Sequence, residues 1–153
     1  MRVGVIADTH GLLRPEAEAA LSGVGHILHA GDIGDPGIVP RLGQIAPVTA
    51  IRGTVDAGGW ADAFPPTVTV ALAGRRIHML HDVHDLDLDP EADGIDVVIA
   101  GHSHRPSVRT EGRSLWLNPG SAGRRRFRLP VTLALLELGE GAPRARIVDL
   151  LCG

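Results

Sequence analysis

Apolar residues in this chain gather into short continuous runs, each cut off by a polar or glycine-containing turn. The clearest is Val97-Val98-Ile99-Ala100, which runs into Gly101-His102-Ser103-His104. Four apolar residues without alternation predict a strand buried on both faces, as in a sheet covered by helices. The same pattern opens the chain, where residues 2–7 read as a buried strand ending at Asp8-Thr9-His10-Gly11. Residues 26–30 and 48–51 are two further short strands, ending at Gly31-Asp32 and at Arg52-Gly53-Thr54-Val55-Asp56. Between them, Pro15 opens one predicted helix, and Asp35-Pro36 reads as a cap and start for a second, running to about Gln44. The order strand, helix, strand, helix, strand predicts parallel strands with right-handed crossovers, an α/β fold.

The second half reads differently. Residues 67–73 and 76–80 flank Gly74-Arg75 as a hairpin whose second strand ends at His81-Asp82-Val83-His84. The acidic stretch 85–93 has only weak helical periodicity and barely the length of a parallel crossover, so any helix in it is short. After His104, residues 107–110, 115–118, 131–138 and 145–150 are strand candidates in an antiparallel pattern. No repeat or linker divides the chain, so residues 1–153 read as one domain.

Composition adds a few exclusions. Hydrophobic residues make up 44% and charged residues 22%, a globular balance with no apolar run long enough to cross a bilayer. A net charge of -3 provides no general attraction to nucleic acid, which is disfavoured as a partner. The lone Cys152 leaves no internal disulfide, and a strand beginning at Arg2 leaves no room for a signal peptide; a cytoplasmic location is the expectation. Eight histidines beside no tyrosine is an unusual ratio, and histidine is the commonest metal ligand.

The strand ends collect that chemistry: Asp8 and His10, Asp32, Thr54, His81, then His102 and His104. Strand ends of parallel neighbours lie about 4.8 Å apart, so these groups can converge on one rim. In an extended backbone the two histidines of His102-Ser103-His104 would point the same way; in a tight turn they can instead diverge toward two neighbouring ions. Four imidazoles and two carboxylates without a thiolate suit an open site for manganese, iron, zinc or nickel rather than a closed structural zinc site. Taken singly, Asp8 and Asp32 could be helix caps. Six such groups on successive strand ends exceed what capping explains. His26, His29 and His78 lie inside strands and read as structural.

The ordered series Asp8-x-His10, Gly31-Asp32, Gly53-x-x-Asp56, His81 and Gly101-His102-Ser103-His104 resembles the calcineurin-like metallophosphoesterases. Arg52-Gly53 and Asn118-Pro119-Gly120-Ser121 look like their small bacterial and archaeal phosphodiesterase branch. That resemblance implies a four-layer α/β/β/α sandwich of two mixed sheets, with two divalent metals, manganese foremost, at the strand ends. Asp8, His10, Asp32 and His104 would hold the first metal. Asp32, His81, His102 and the residue at position 54 would hold the second. The implied activity is hydrolysis of small phosphodiesters or activated phosphoesters. Two cations about 3.5–4 Å apart would bring the water between them toward a pKa of ~7. Asp32 would bridge them, Asp56 would buttress the loop or a bound water, and His84 is a candidate proton donor.

Two positions depart from the family pattern. Position 54 is normally Asn, whose amide reaches further than the hydroxyl of Thr54, so a weak second metal is expected. Where the wider family often has His, this chain has Val55, which transfers no proton. These departures keep open an alternative, a catalytically weakened member of the fold that serves as a metal-binding or protein-binding scaffold. A metallo-β-lactamase-type hydrolase is disfavoured, because His104 is followed by Arg105-Pro106. The basic stretch 124–128 could bind a phosphate near the rim, or be a solvated loop or a contact between copies in a homo-oligomer.

Overall fold

A computed structural model describes residues 1–151 and places all ten predicted strands in two five-stranded sheets. Cys152 lies outside the described residues. The first sheet holds β1 (Arg2–Ile6), β2 (His26–His29), β3 (Val48–Ala50), β9 (Thr132–Glu137) and β10 (Arg144–Asp149), in the order β10-β9-β1-β2-β3. The second holds β4 (Thr67–Leu72), β5 (Arg75–Leu80), β6 (Val97–Ile99), β7 (Ser107–Glu111) and β8 (Ser114–Asn118), in the order β4-β5-β6-β8-β7. Each sheet combines three parallel strands with antiparallel pairings, on one side of the first sheet and on both flanks of the second. In the first, β1, β2 and β3 are parallel and β9 and β10 antiparallel. In the second, β5, β6 and β8 are parallel. The antiparallel reading after His104 therefore holds for β7 with β8, for β9 with β10 and for β9 with β1, but not for the pairing of β8 with β6. Period alone cannot tell which neighbour a strand chooses.

The sheets face each other across a core of side chains such as Val3, Leu28, Ile77, Ile99 and Leu136, all essentially inaccessible to water. The helices α1 (Pro15–Ala20) and α2 (Ile38–Gly43) close the outer face of the first sheet over Ile6, Leu21, Ile27 and Leu42. Pro15 opens α1 as its ring geometry favours. The second helix starts two residues later than Asp35-Pro36 suggests. Asp35 is not its cap; its Oδ1 accepts the Gly37 N–H at 2.7 Å in a local turn, and Gly37 occupies the cap position. The fourth layer is thin. Over β6 and β8 lie loop residues Leu86 and Leu88, and the only helical piece is the single turn Val83–Asp85. An acidic crossover with few apolar positions has little to bury, so it covers the sheet without forming a long helix.

The parallel strands of both sheets end at one rim, where residues after β1, β2, β5 and β6 converge and where α/β sheets commonly hold their chemistry. The core behind that rim sets its rigidity. Leu136→Ala, remote from the rim on β9, is expected to cost ~2–5 kcal/mol in urea unfolding. A loss below about 1 kcal/mol would mean that the two sheets are not packed tightly there.

Candidate metal centre

Seven described non-glycine residues have positive φ, and five of them are Asp8, His10, Asp32, His102 and His104. Left-handed backbone is costly for residues with a Cβ and persists where the surroundings impose it. Here it turns each loop sharply at a strand end and aims its side chain back over the rim. Gly53 has no space for a Cβ against the backbone nitrogen and Oδ1 of Asp32, so the β2 and β3 loops touch directly.

The side chains fall into two groups. In each, the ligand atoms lie within 4.8 Å of one another: Asp8, His10 and His104 form one, and Asp32, His81 and His102 the other. His102 and His104 diverge to different groups. Asp32 stands between them, with Oδ2 3.1 Å from His81 Nε2 and 3.6 Å from His10 Nε2. Its Oδ1 accepts the Val55 N–H at 3.0 Å, which fixes the direction of Oδ2. Asp8 is fixed in the same manner: Oδ2 accepts the His102 N–H at 3.2 Å, and Oδ1 faces His10, His81 and His104 at 3.7 to 3.9 Å. His81 donates from Nδ1 to the Ala30 carbonyl at 2.8 Å, which leaves Nε2 toward the carboxylates.

Five buried side-chain nitrogen or oxygen atoms lack a hydrogen-bond partner among the described residues, and four of them are Asp8 Oδ1, His10 Nε2, His81 Nε2 and His104 Nδ1. His81 Nε2 is within ion-pair distance of Asp32 but is not aligned as a donor to it. Buried polar atoms are normally satisfied, so a cluster of orphans made of imidazole and carboxylate atoms fits divalent cations. The electrostatics agree. Burial pushes the Asp8 carboxyl up to about 7, against the pull of His81. Burial also works against ionisation of Asp32, but the His81 imidazole and the Val55 N–H outweigh it and bring the carboxyl down to about 2. The reciprocal effect raises His81 to about 9, despite its burial. For His104, burial and then the charge of Arg126 lower the imidazole to about 4. These ligands are neutral, anionic or poised to lose a proton when a cation enters.

The remaining expected residues take different places. Asp56 is buried and points away from the ligand atoms: its oxygens accept the N–H groups of Ile33 at 3.0 Å, Gly34 at 2.9 Å and Gly53 at 2.8 Å. It buttresses the Asp32 loop. Thr54 is exposed and lines a cavity of about 270 Å³ with Arg52, His81, Asp82 and Asp85. His84 belongs to neither group; its side chain is 88% exposed and its Nδ1 lies 2.9 Å from Asp82 Oδ1. His26 and His78 each pair with a cross-strand threonine, Thr49 and Thr69, at 2.8 Å.

Two residues escaped the sequence reading. Asp82, held by the His84 N–H at 3.0 Å, brings Oδ2 to 3.7 Å from His102 Nε2. Its place directly after His81 was the available signal. His29 does more than fill a strand. It accepts the Gly31 N–H at Nδ1, 3.2 Å, and donates from Nε2 to Thr9 Oγ1 at 3.0 Å, and Thr9 in turn donates to the Ile33 carbonyl at 2.9 Å. This relay locks the Asp8 loop to the Asp32 loop.

A two-sheet sandwich with paired His and Asp groups on its common strand-end rim is the architecture of a metallophosphoesterase. The chain belongs to that family: residues 1–141 match the calcineurin-like phosphoesterase superfamily domain. A protein of Methanothermobacter thermautotrophicus described as a probable metallophosphoesterase is 33% identical over 92% of this chain and 88% of its own length. In fold, the chain is similar to a solved archaeal phosphodiesterase, with a TM-score of 0.79, 21% identity, and coverage of 97% of this chain and 100% of that one. It is likewise similar to Vps29 of Entamoeba histolytica, solved in complex with zinc, with a TM-score of 0.75, 22% identity, and coverage of 98% and 99%. Among the described residues no helix is long and apolar enough to cross a membrane.

The relay makes stability depend on His29. Burial lowers this imidazole to about 4 from its ordinary 6.5. Between those values the unfolded chain binds the proton that the folded chain refuses, so stability falls as pH drops from 6.5 to 4 and is complete above that window. Urea midpoints measured across this range are expected to fall in the native protein and to fall less steeply in His29→Gln. An identical slope in both would remove His29 from the account.

Proposed function

We propose that this chain is a divalent-metal-dependent phosphodiesterase acting on small phosphodiesters or activated phosphoesters. The observation that carries this reading is the convergence of six ligand residues from four strand-end loops into two adjacent groups, in which Asp8, His10, His81 and His104 each carry a buried polar atom without a hydrogen-bond partner. Two divalent ions fit them, manganese foremost, with iron, nickel or zinc suited to the same donors. Ions held there supply positive charge to the phosphate oxygens and bring the pKa of water toward ~7.

Asp8, His10 and His104 would hold one ion and His81 and His102 the other, with the Asp32 carboxylate between the two groups and Thr54 beside the second. Asp56 keeps the Asp32 loop in register through its three backbone contacts. Asn118 donates to the Gly101 carbonyl at 3.0 Å and to Ser103 Oγ at 3.1 Å, which steadies the loop carrying both histidines. His84 stands on the rim beyond Asp82, so it serves as proton donor only to a leaving group that reaches across Asp82. Esters whose leaving groups are already acidic need no donor and are the favoured substrates.

The second reading is a scaffold. It draws on the fold likeness to Vps29, on Thr54, and on Val55, which is 51% exposed on the rim and offers an apolar contact. Hydrolysis of bis-p-nitrophenyl phosphate separates the two. Metal-stripped protein titrated with manganese is expected to turn over, and His102→Ala to lose at least about 100-fold in rate. No turnover at saturating manganese, or equal rates in both proteins, would favour the scaffold.

A further inference from the structure

The five positive-φ residues of the metal groups leave two others. Ala73 turns the β4–β5 hairpin, and Phe127 has a φ of 53°. An aromatic residue in the left-handed region is unusual, and such strain gathers at functional positions. The side chain of Phe127 is 93% exposed, far more than any other large apolar residue described.

The loop that carries it is fastened to the first metal group. Ser121 Oγ donates to the Asp8 carbonyl at 3.0 Å, and the Ala122 N–H donates to the Ala7 carbonyl at 3.1 Å. Gly123 packs on the Thr9 carbonyl with no space for a Cβ, and Arg14 Nε donates to the Gly123 carbonyl at 3.0 Å. A few residues further, the Leu129 N–H donates to the Arg126 carbonyl at 3.1 Å and closes a turn. The charge of Arg126 is felt at Asp8, His10 and His104.

We propose that residues 124–128 form the outer part of the substrate site and select a nucleotide-type phosphodiester that carries a second phosphate. Arg126 takes the second phosphate, since a guanidinium binds phosphate oxygens in pairs, and Phe127 stacks on the base. One exposed aromatic beside a short basic turn fits a mononucleotide or dinucleotide. It offers no apolar groove for a lipid chain, and a net charge of -3 provides no extended field for a polymer. The proposal rests on the phosphodiesterase reading of the metal centre and adds the class of substrate.

Equilibrium binding to the manganese-loaded full chain tests it with ligands that are phosphomonoesters and therefore stable. Thymidine bisphosphate is expected to bind at least about tenfold tighter than thymidine monophosphate, and Arg126→Ala to abolish that preference. Arg144→Ala, on the remote strand β10, controls for general charge and is expected to keep the preference. Phe127→Ala is expected to weaken both thymidine ligands by about tenfold relative to ribose phosphate, which has no base to stack. Equal affinity for the two thymidine ligands in the native protein, or equal losses in the two arginine variants, would overturn the proposal. Turnover of bis-p-nitrophenyl phosphate by the same sample keeps the two readings apart. Turnover without the preference defeats the substrate assignment alone; the preference without turnover defeats the phosphodiesterase reading and leaves nucleotide binding.

Discussion

The structure depends on one unbalanced group, the fully buried carboxylate of Asp8, whose Oδ1 has imidazoles around it and no hydrogen bond. Isolated, such a group would cost several kcal/mol to bury as an anion. The chain does not relieve that cost with a lysine or arginine in contact. It surrounds the oxygen with His10, His81 and His104 at ligand distances and places a second carboxylate, Asp32, across from it. Two carboxylates in one pocket repel each other, and burial and Asp32 together raise Asp8, while His81 and His10 help keep Asp32 ionised. Divalent cations held by these groups, as proposed, would resolve this conflict in a way that protein groups alone do not.

Holding that arrangement requires rigid loops, and the fold supplies them by backbone contacts rather than by long side-chain bridges. Asp56 gathers three N–H groups from the two loops after β2 and β3. The relay through His29 and Thr9 ties the loops after β1 and β2. Asn118, at the end of β8, holds the loop after β6. The parallel strands thus divide the work, β1, β2, β5 and β6 presenting ligand loops and residues after β3 and at the end of β8 clamping them, so the two sheets act as one frame for the rim. The short helices and the thin cover over the second sheet carry less of this work, consistent with their few turns.

Much of this was legible in the chain because the strands are continuous apolar runs and the ligands follow each run at once. Ten strands, the parallel first half and the six candidate ligands are readable from that coincidence; their division into two groups comes only with the family resemblance. Three features were not. The pairing of β8 with β6 depends on the tertiary route of the β7 hairpin, which period does not encode. The start of α2 is decided by a local hydrogen bond from Gly37 to Asp35, which competes with capping at a position that suits either. The left-handed backbone at Asp8, His10, Asp32, His102 and His104 is imposed by the packed loops, and no residue there announces it as glycine would. The buried role of His29 was hidden for a related reason: a histidine inside a strand looks alike whether it fills space or joins two loops.

The central claim is that the two groups are one binuclear centre, and anomalous diffraction from crystals grown with manganese tests it most directly. Two peaks about 3.5–4 Å apart are expected, one among Asp8, His10 and His104, the other among His81 and His102, with Asp32 touching both. A single peak, or two peaks too far apart to share Asp32, would contradict the claim.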